Sequence, residues 1–147
     1  SLSKSYGMPG IRLGVMAAKD TQMIAYIKKN LAIWNINSFG EFFMQIVEKY
    51  EKEYRESLRL IREERNYLIE ELKKLNLEVY PSQANYIMCC LNNMSSKQLA
   101  ISLLEEQNLL IKDLSEKEGF GGKDFIRIAV RNREDNQKLI EGLRQYL

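Results

Sequence analysis

The sequence contains no histidine, and this absence removes several kinds of chemistry at once. Histidine-based metal sites and Ser-His or Cys-His nucleophile pairs are excluded on this chain, and no metal site is predicted. Any reaction must therefore depend on lysine, arginine, tyrosine, carboxylates or a bound cofactor.

Cysteine is scarce as well: the chain has two, Cys89 and Cys90, adjacent to one another in an apolar run. Neighbouring residues of a strand point to opposite faces, so a disulfide between them is not expected and a reducing compartment is favoured. Free cysteine is usually buried, and both residues are predicted to be structural thiols.

Charge imbalance and long apolar runs are also missing. The 147 residues include 22 basic and 20 acidic ones, a net charge of +2, which gives no electrostatic argument for a nucleic acid or an anionic membrane. No stretch approaches the roughly 20 apolar residues that span a bilayer, and the opening does not resemble a signal peptide. The sequence therefore predicts a cytoplasmic globular protein with no nucleic-acid or membrane partner.

The first half predicts three elements. Residues 12–18, "RLGVMAA", have the character of a short buried strand, and Asp20 is placed to cap a following helix. Ser38 and Glu41 have the spacing of a capping box. From there apolar residues recur every three or four positions as far as Leu75, interrupted by Arg65, which predicts one helix of roughly 35 residues with a single apolar stripe.

The second half changes rhythm and predicts the order β–β–α–β–β–α. A turn at Pro81 and Ser82 separates the first two strands, and Ser95 and Asn132 are placed to cap the two helices. The glycine-rich segment 119–124, "GFGGKD", lacks the spacing of a phosphate-binding loop and predicts a turn between strands. The pattern indicates an α+β lobe with helices on one face of a small sheet.

The opening "SLSKSYGMPGIRLG" is the densest run of special residues. Two hydroxyls and a guanidinium, from Ser1, Ser3 and Arg12, suit the oxygens of a phosphate, and Lys4 would stand beside it as an amine nucleophile. These parts describe a seat for pyridoxal phosphate. A mobile basic terminus is the alternative interpretation. The glycines that would let the backbone return towards its start are Gly7, Gly10 and Gly14.

The same stretch resembles the S-x-S-K…G-x-R-x-G signature of class I/II aminotransferases, the fold-type-I enzymes that use pyridoxal phosphate. The histidinol-phosphate aminotransferase branch is the nearest likeness. "VYPSQANYIM" resembles the "PSxANF" strand of the family's small domain, and "FIRIAVRNREDNQKLIEGL" resembles its C-terminal "xRIxxGxxxxNxxLixAL". The three motifs occur in the family's order along the whole chain.

The resemblance implies a cofactor site at the start of the chain. Lys4 would bear pyridoxal 5'-phosphate as a Schiff base and move a proton during catalysis, while Ser1, Ser3 and Arg12 would hold the phosphate. The segments that supply the aspartate to the pyridine nitrogen, the ring-stacking residue and the tyrosine to O3′ are not in this sequence. The isolated chain is therefore expected to be inactive.

The resemblance also implies residues that bind the substrate. Arg127 would bind the substrate α-carboxylate. The alternative is that Arg127 is a charge on a strand surface with no role in binding. Asn85 would lie near the substrate, although bonding its own turn is an equal alternative. Where relatives have a glycine after the "RIxV" strand this chain has Arg131, so the local turn is expected to differ.

The implied whole is the C-terminal part, roughly two-fifths, of a homodimeric aminotransferase. Residues 1–40 would be a remnant of the α/β large domain, and 41–147 a long interdomain helix followed by the small α+β domain. The activity implied is amino transfer between an amino acid, or an amine derived from one, and a 2-oxo acid. An amino-acid-phosphate decarboxylase of the same fold and a non-catalytic interaction module are the alternatives.

Overall fold

The structure, a computed structural model, describes residues 2–147 and divides into two compact units, Ser1–Glu56 and Ser57–Leu147. Among these described residues, no helix is both long enough and apolar enough to cross a bilayer. The helices are α1 (Leu2–Ser5), α2 (Thr21–Asn30), α3 (Ser38–Ile46), α4 (Glu51–Lys73), α5 (Ser96–Gln107) and α6 (Arg133–Leu143), and the strands are β1 (Glu78–Val79), β2 (Tyr86–Cys90), β3 (Lys112–Asp113) and β4 (Phe125–Ala129).

Two helix starts in the first unit test the capping predictions. Asp20 caps α2 as predicted, because its carboxylate accepts hydrogen bonds from the amides of Gln22 and Met23 at 2.9 and 3.0 Å. The capping box at Ser38 is wrong by one position. Asn37 is the N-cap of α3: its Oδ1 accepts from the Gly40 amide at 2.9 Å, and Ser38 is already helical.

The buried strand predicted at residues 12–18 is wrong. This segment has no regular structure, and Val15 and Met16 are 77 and 58 % exposed. A strand needs a neighbouring strand to satisfy its backbone groups, and among residues 2–147 no strand forms a ladder with this segment. The small apolar cluster of the unit is built instead on Ile11, Leu13 and Phe43.

The single long helix is also wrong in detail. α3 has nine residues and α4 has 23, and a short 3-10 helix, Val47–Tyr50, separates them. Ile46 remains in the right-handed helical region, but its φ of −107° departs from the ideal helical value. The β-branched pair Ile46–Val47 disfavours a continuous α-helix at this point. The apolar stripe persists, but on α4 it is fully buried only at Leu68 and Leu72.

The second unit is the predicted α+β lobe. Its four strands form an antiparallel sheet in the order β1-β2-β4-β3, with Tyr86 opposite Ala129 and Cys90 opposite Phe125. Ser95 and Asn132 cap α5 and α6 as predicted. The segment 119–124 lies in the loop 114–124 that joins β3 to β4, which confirms the predicted turn.

The two faces of this sheet belong to different apolar clusters. Ile87, Cys89, Ile126 and Ile128 enter the main core together with buried leucines of α4, α5 and α6. Cys90 faces the other way, towards Phe125 and Leu114. Both cysteines are free and buried, as predicted, and burial with Cys90 beside it raises the pKa of Cys89 to about 12.

Candidate active site

The start of the chain folds back on itself within the first unit. The Leu2 amide donates a hydrogen bond to the Leu13 carbonyl at 3.2 Å, which closes a loop that contains both α1 and the short 3-10 helix Pro9–Ile11. The backbone thus brings the residues next in sequence, Ser3 and Arg12, to the same closed loop. Ser1, and the side chains of Ser3 and Lys4, lie outside what the structure describes.

Arg12 has two properties that suit an anion ligand. Its backbone is in the left-handed region at φ 52°, a conformation that costs free energy for a residue with a Cβ. Its side chain is exposed, and its Nη1 donates only a long hydrogen bond, 3.4 Å, to the Pro9 carbonyl. No carboxylate in the described part of the chain pairs with it. An unpaired guanidinium on a closed loop fits a phosphate dianion.

Arg127 lies at the centre of β4, between two residues that point the other way. Ile126 and Ile128 are buried in the main core, so Arg127 is on the opposite face and exposed. Its Cζ lies 5.3 Å from the centre of the Tyr86 ring, which orients the guanidinium by a cation–π contact.

A second cation beside Arg127 was missed by the sequence analysis. Directly paired residues of neighbouring strands share a face, and Arg127 is paired with Met88 on β2 and with Lys112 on β3. Arg127 and Lys112 both line a surface cavity of about 390 Å³. The signal was the lone cation in "LLIKDL", but only the strand register shows which residue it faces.

Both acidic residues at this cavity accept hydrogen bonds from groups other than Lys112 and Arg127. Asp113 accepts hydrogen bonds from the buried Ser96 hydroxyl at 2.6 Å and from Ser115, while Glu116 pairs with Lys97. Burial alone raises the pKa of Asp113, but these hydrogen bonds and the charge of Lys112 together outweigh it, and the pKa lies below its usual value. Three cations, Lys112, Lys117 and Arg127, line the cavity against the two acids, so the charge of the lining is net positive.

Asn85 precedes β2 and its backbone is fixed. Its carbonyl accepts from the Val130 amide at 2.9 Å, which joins the turn before β2 to the end of β4. Its exposed side chain does not bond its own turn; Ser82 does this instead, donating to the Tyr86 carbonyl and accepting from the Ala84 amide. The side chain of Asn85 is thus left to face solvent or a ligand.

The turn after β4 accommodates Arg131 without positive φ. The buried Asn136 holds it from both sides: its Oδ1 accepts from the Arg131 amide at 3.1 Å and its Nδ2 donates to the Arg131 carbonyl at 2.8 Å. A glycine is therefore not required here, and the exposed Arg131 side chain pairs with Asp135.

Comparison with known proteins identifies the family of this chain. A family model described as aminotransferase class I and II matches residues 1–143. L-serine phosphate decarboxylase of Sulfurospirillum multivorans is 34 % identical over all of this chain and 38 % of its own length, and histidinol-phosphate aminotransferase of Thermoanaerobacter sp. is 32 % identical over all of this chain and 40 % of its own length. The crystal structure of histidinol-phosphate aminotransferase from Clostridium acetobutylicum superposes with a TM-score of 0.87 at 33 % identity, covering 98 % of this chain and 43 % of that one.

The chain belongs to the class I and II aminotransferase family. Its fold over the whole length is that of fold-type-I enzymes, and the cofactor of the family is pyridoxal 5'-phosphate. The chain spans about two-fifths of the length of the relatives named above. The closed loop that carries Arg12 fits the phosphate of this cofactor.

Proposed function

We propose that the chain is the C-terminal part of a pyridoxal-phosphate-dependent aminotransferase. The enzyme transfers an amino group between an amino acid, or an amine derived from one, and a 2-oxo acid. The observation that carries this proposal is the hydrogen bond between Leu2 and Leu13, since it closes the loop on which Lys4 and Arg12 both lie. This hydrogen bond supports a common role for Lys4 and Arg12 more strongly than their spacing in the sequence does.

Four residues of this loop are assigned to the cofactor. Ser1, Ser3 and Arg12 bind its phosphate, where Arg12 supplies fixed positive charge and the hydroxyls supply donors. Lys4 Nζ would hold the cofactor covalently. The bound cofactor supplies an electron sink for negative charge at the substrate α-carbon. Lys4 Nζ would also accept the proton from that carbon and later return one, acting as general base and then as general acid.

Arg127 binds the substrate α-carboxylate. Its planar guanidinium matches two carboxylate oxygens and stays charged throughout turnover, and its position over Tyr86 limits its rotation. Asn85, with its backbone tied to Val130 and its side chain exposed, offers a neutral hydrogen-bonding group on the substrate side.

Decarboxylation of an amino-acid phosphate is a second candidate, favoured by a specific observation. Lys112 lies directly opposite Arg127, so the sheet presents two cations at one cavity. Two cations suit a substrate with more negative charge than one carboxylate, and a phosphate group is the obvious source of it. The named relatives include both a decarboxylase of L-serine phosphate and an aminotransferase of histidinol phosphate.

Borohydride trapping tests the assignment of Lys4. Pyridoxal phosphate is added to the protein, the mixture is reduced, and labelled peptides are mapped in the unsubstituted chain, in Lys4→Ala and in the matched control Lys19→Ala. We expect one label at Lys4 that persists in Lys19→Ala. Labels scattered over surface lysines would leave this chain without a cofactor site of its own.

Product analysis separates the two reactions in the intact enzyme. Aminotransfer releases a 2-oxo acid or ketone and consumes a second oxo acid, whereas decarboxylation releases CO2 from the α-carboxylate and leaves the amine. We expect oxo-acid formation with no CO2 from a 1-13C-labelled amino acid. Stoichiometric labelled CO2 from an amino-acid phosphate would establish the second candidate instead.

The remaining architecture forms part of the same proposal. Residues 1–40 belong to the large domain, residues 41–147 supply the interdomain helix and the small domain, and the intact enzyme is a cytoplasmic homodimer. Sedimentation of the intact enzyme at twice the monomer mass is the expected result. A monomer that retains full activity would contradict it.

A further inference from the structure

The middle of α4 is fastened to the turn that precedes β2. Arg65 Nη1 donates a hydrogen bond to the Ala84 carbonyl at 3.1 Å, across 19 positions of sequence. Ala84 immediately precedes Asn85. This contact explains why a cation interrupts the apolar stripe of the helix.

The preceding residue of α4 is fastened to the turn that follows β4. Both oxygens of Glu64 accept from Arg133 Nε, at 3.0 and 3.1 Å, and one also accepts from the Nδ2 of the buried Asn136. Arg133 also lies over the Tyr67 ring, with its Cζ 3.7 Å from the ring centre. Asn136 in turn holds both backbone groups of Arg131, so this end of β4 is tied to the helix.

These two turns lie at the same end of the sheet. Tyr86, the first residue of β2, is paired with Ala129, the last residue of β4, and the Val130 amide bonds to the Asn85 carbonyl. Two consecutive helix residues thus hold the paired strand ends that carry Asn85 and, two positions inside β4, Arg127. The arrangement is a clamp formed by Glu64 and Arg65.

We propose that Glu64 and Arg65 are positioning residues, which set the strand ends bearing Asn85 and Arg127 through their hydrogen bonds to the two turns. This inference rests on the proposed function for its substrate. Neither residue touches substrate; each acts through the backbone to which Asn85 or Arg127 belongs. Substrate affinity is the quantity they control.

The bonding of Arg65 indicates more than a stabilising role. Its Nε is buried and has no acceptor among the described residues, which is an unfavourable arrangement in a core. An apolar side chain at this position in the stripe would avoid that unfavourable term. Arginine is nevertheless present, and what it supplies is a directed donor to the Ala84 carbonyl.

The test compares Arg65→Met and Glu64→Gln with the neighbouring exposed positions, Arg62→Met and Glu63→Gln, in the intact enzyme. Amide hydrogen exchange of Val130 reports the clamp, with the Tyr80 amide, which bonds to Met88 in the same sheet, as internal reference. We expect exchange of Val130 to accelerate about tenfold in Arg65→Met while Tyr80 changes less than about twofold. KM is expected to rise about fivefold to tenfold with kcat within about twofold, because the binding groups are displaced while the proton-transfer group is unaltered.

The conservative variant Arg65→Lys supplies the second readout. A lysine keeps one donor for the Ala84 carbonyl, so we expect it to recover at least about half of the lost affinity. If the helix needed only bulk at this position, Arg65→Met would retain the substrate affinity as well as Arg65→Lys does. Recovery by lysine and not by methionine therefore supports positioning.

Each contrary outcome has its own meaning. Equal Val130 exchange in Arg65→Met and Arg62→Met would overturn the clamp, whatever reaction the enzyme performs. Faster exchange with unchanged KM would overturn the positioning role while the proposed function stands. An unsubstituted enzyme that neither transaminates nor decarboxylates would overturn the proposed function and the substrate role together, and the exchange data would still report the clamp separately.

Discussion

At the scale of the residue, Arg127 is the side chain that we propose binds the substrate carboxylate. Its two buried neighbours on β4 hold it outward, and Tyr86 limits its motion. We expect Arg127→Lys in the intact enzyme to raise KM for an amino-acid substrate about tenfold to a hundredfold, since one of two charged hydrogen bonds is lost. Steady-state kinetics measures this, with Arg62→Lys on the exposed face of α4 as the matched control. A KM equal to that of the control would show that Arg127 is a surface charge.

Lys112 gives a second prediction at this scale. For a substrate with a phosphate group, Lys112→Met is expected to raise KM about tenfold, because one charge-assisted hydrogen bond is removed from the cavity. For a substrate whose only anionic group is the α-carboxylate, the same variant is expected to change KM less than about twofold. The ratio of the two KM changes is the measurement, and a ratio near one would mean that Lys112 does not bind the phosphate.

At the scale of the element, Ser96 joins the start of α5 to the sheet. Its amide and hydroxyl both bond to Asp124, and the hydroxyl also donates to Asp113. Ser96→Ala removes a fully buried donor, and we expect it to lower the free energy of unfolding by about 1–3 kcal/mol at neutral pH. Urea unfolding measures this, with the exposed Ser57→Ala as control.

The same variant has a predictable pH dependence. The pKa of Asp113 is lower in the folded than in the unfolded state, so its contribution to stability is present above its unfolded pKa and is lost as the pH falls through its folded pKa. Ser96→Ala removes a donor that lowers this pKa. The destabilisation should therefore be largest at neutral pH and shrink in acid. A difference that grows as the pH falls would contradict this assignment.

Prediction from sequence succeeded where the signal is local and failed where it depends on a partner. The caps at Asp20, Ser95 and Asn132 follow from side-chain chemistry within four residues, and all three are confirmed. The strand at 12–18 was inferred from apolar composition alone, but strand formation depends on a neighbour that the described residues do not supply. Lys112 was missed for a related reason, because the sequence of one strand does not determine which residues of the neighbouring strand it pairs with.

At the scale of the whole molecule, the two units differ in how far they bury their apolar side chains. The unit Ser57–Leu147 has a continuous core, whereas the unit Ser1–Glu56 leaves Ile33 and Trp34 each 91 % exposed. Other large apolar side chains of this unit, among them Val15, Tyr26 and Phe39, are exposed as well. Such a group of exposed apolar side chains marks a surface that is normally covered. In the proposed intact enzyme, the remaining polypeptide would cover it.

The single tryptophan makes this difference measurable. We expect the emission wavelength of Trp34 in this chain to match that of a fully hydrated indole and to stay constant through urea unfolding. Circular dichroism over the same urea range should show a cooperative transition. In the intact enzyme the emission should be shifted to the blue, because Trp34 would be covered. Emission that is already blue-shifted in the isolated chain, and moves to the red in urea, would contradict the exposure described here.

The adjacent cysteines provide a means of following the two sides of one sheet separately. Cys89 lies in the core beneath the helices and Cys90 in the cluster on the other face, so each thiol becomes available to an alkylating reagent only when its own side opens. Peptide mass spectrometry after timed exposure to iodoacetamide would resolve the two rates, because neighbouring sulfurs in one peptide are distinguished by fragmentation. The chain thus carries two chemical reporters, one residue apart in sequence, for independent opening motions.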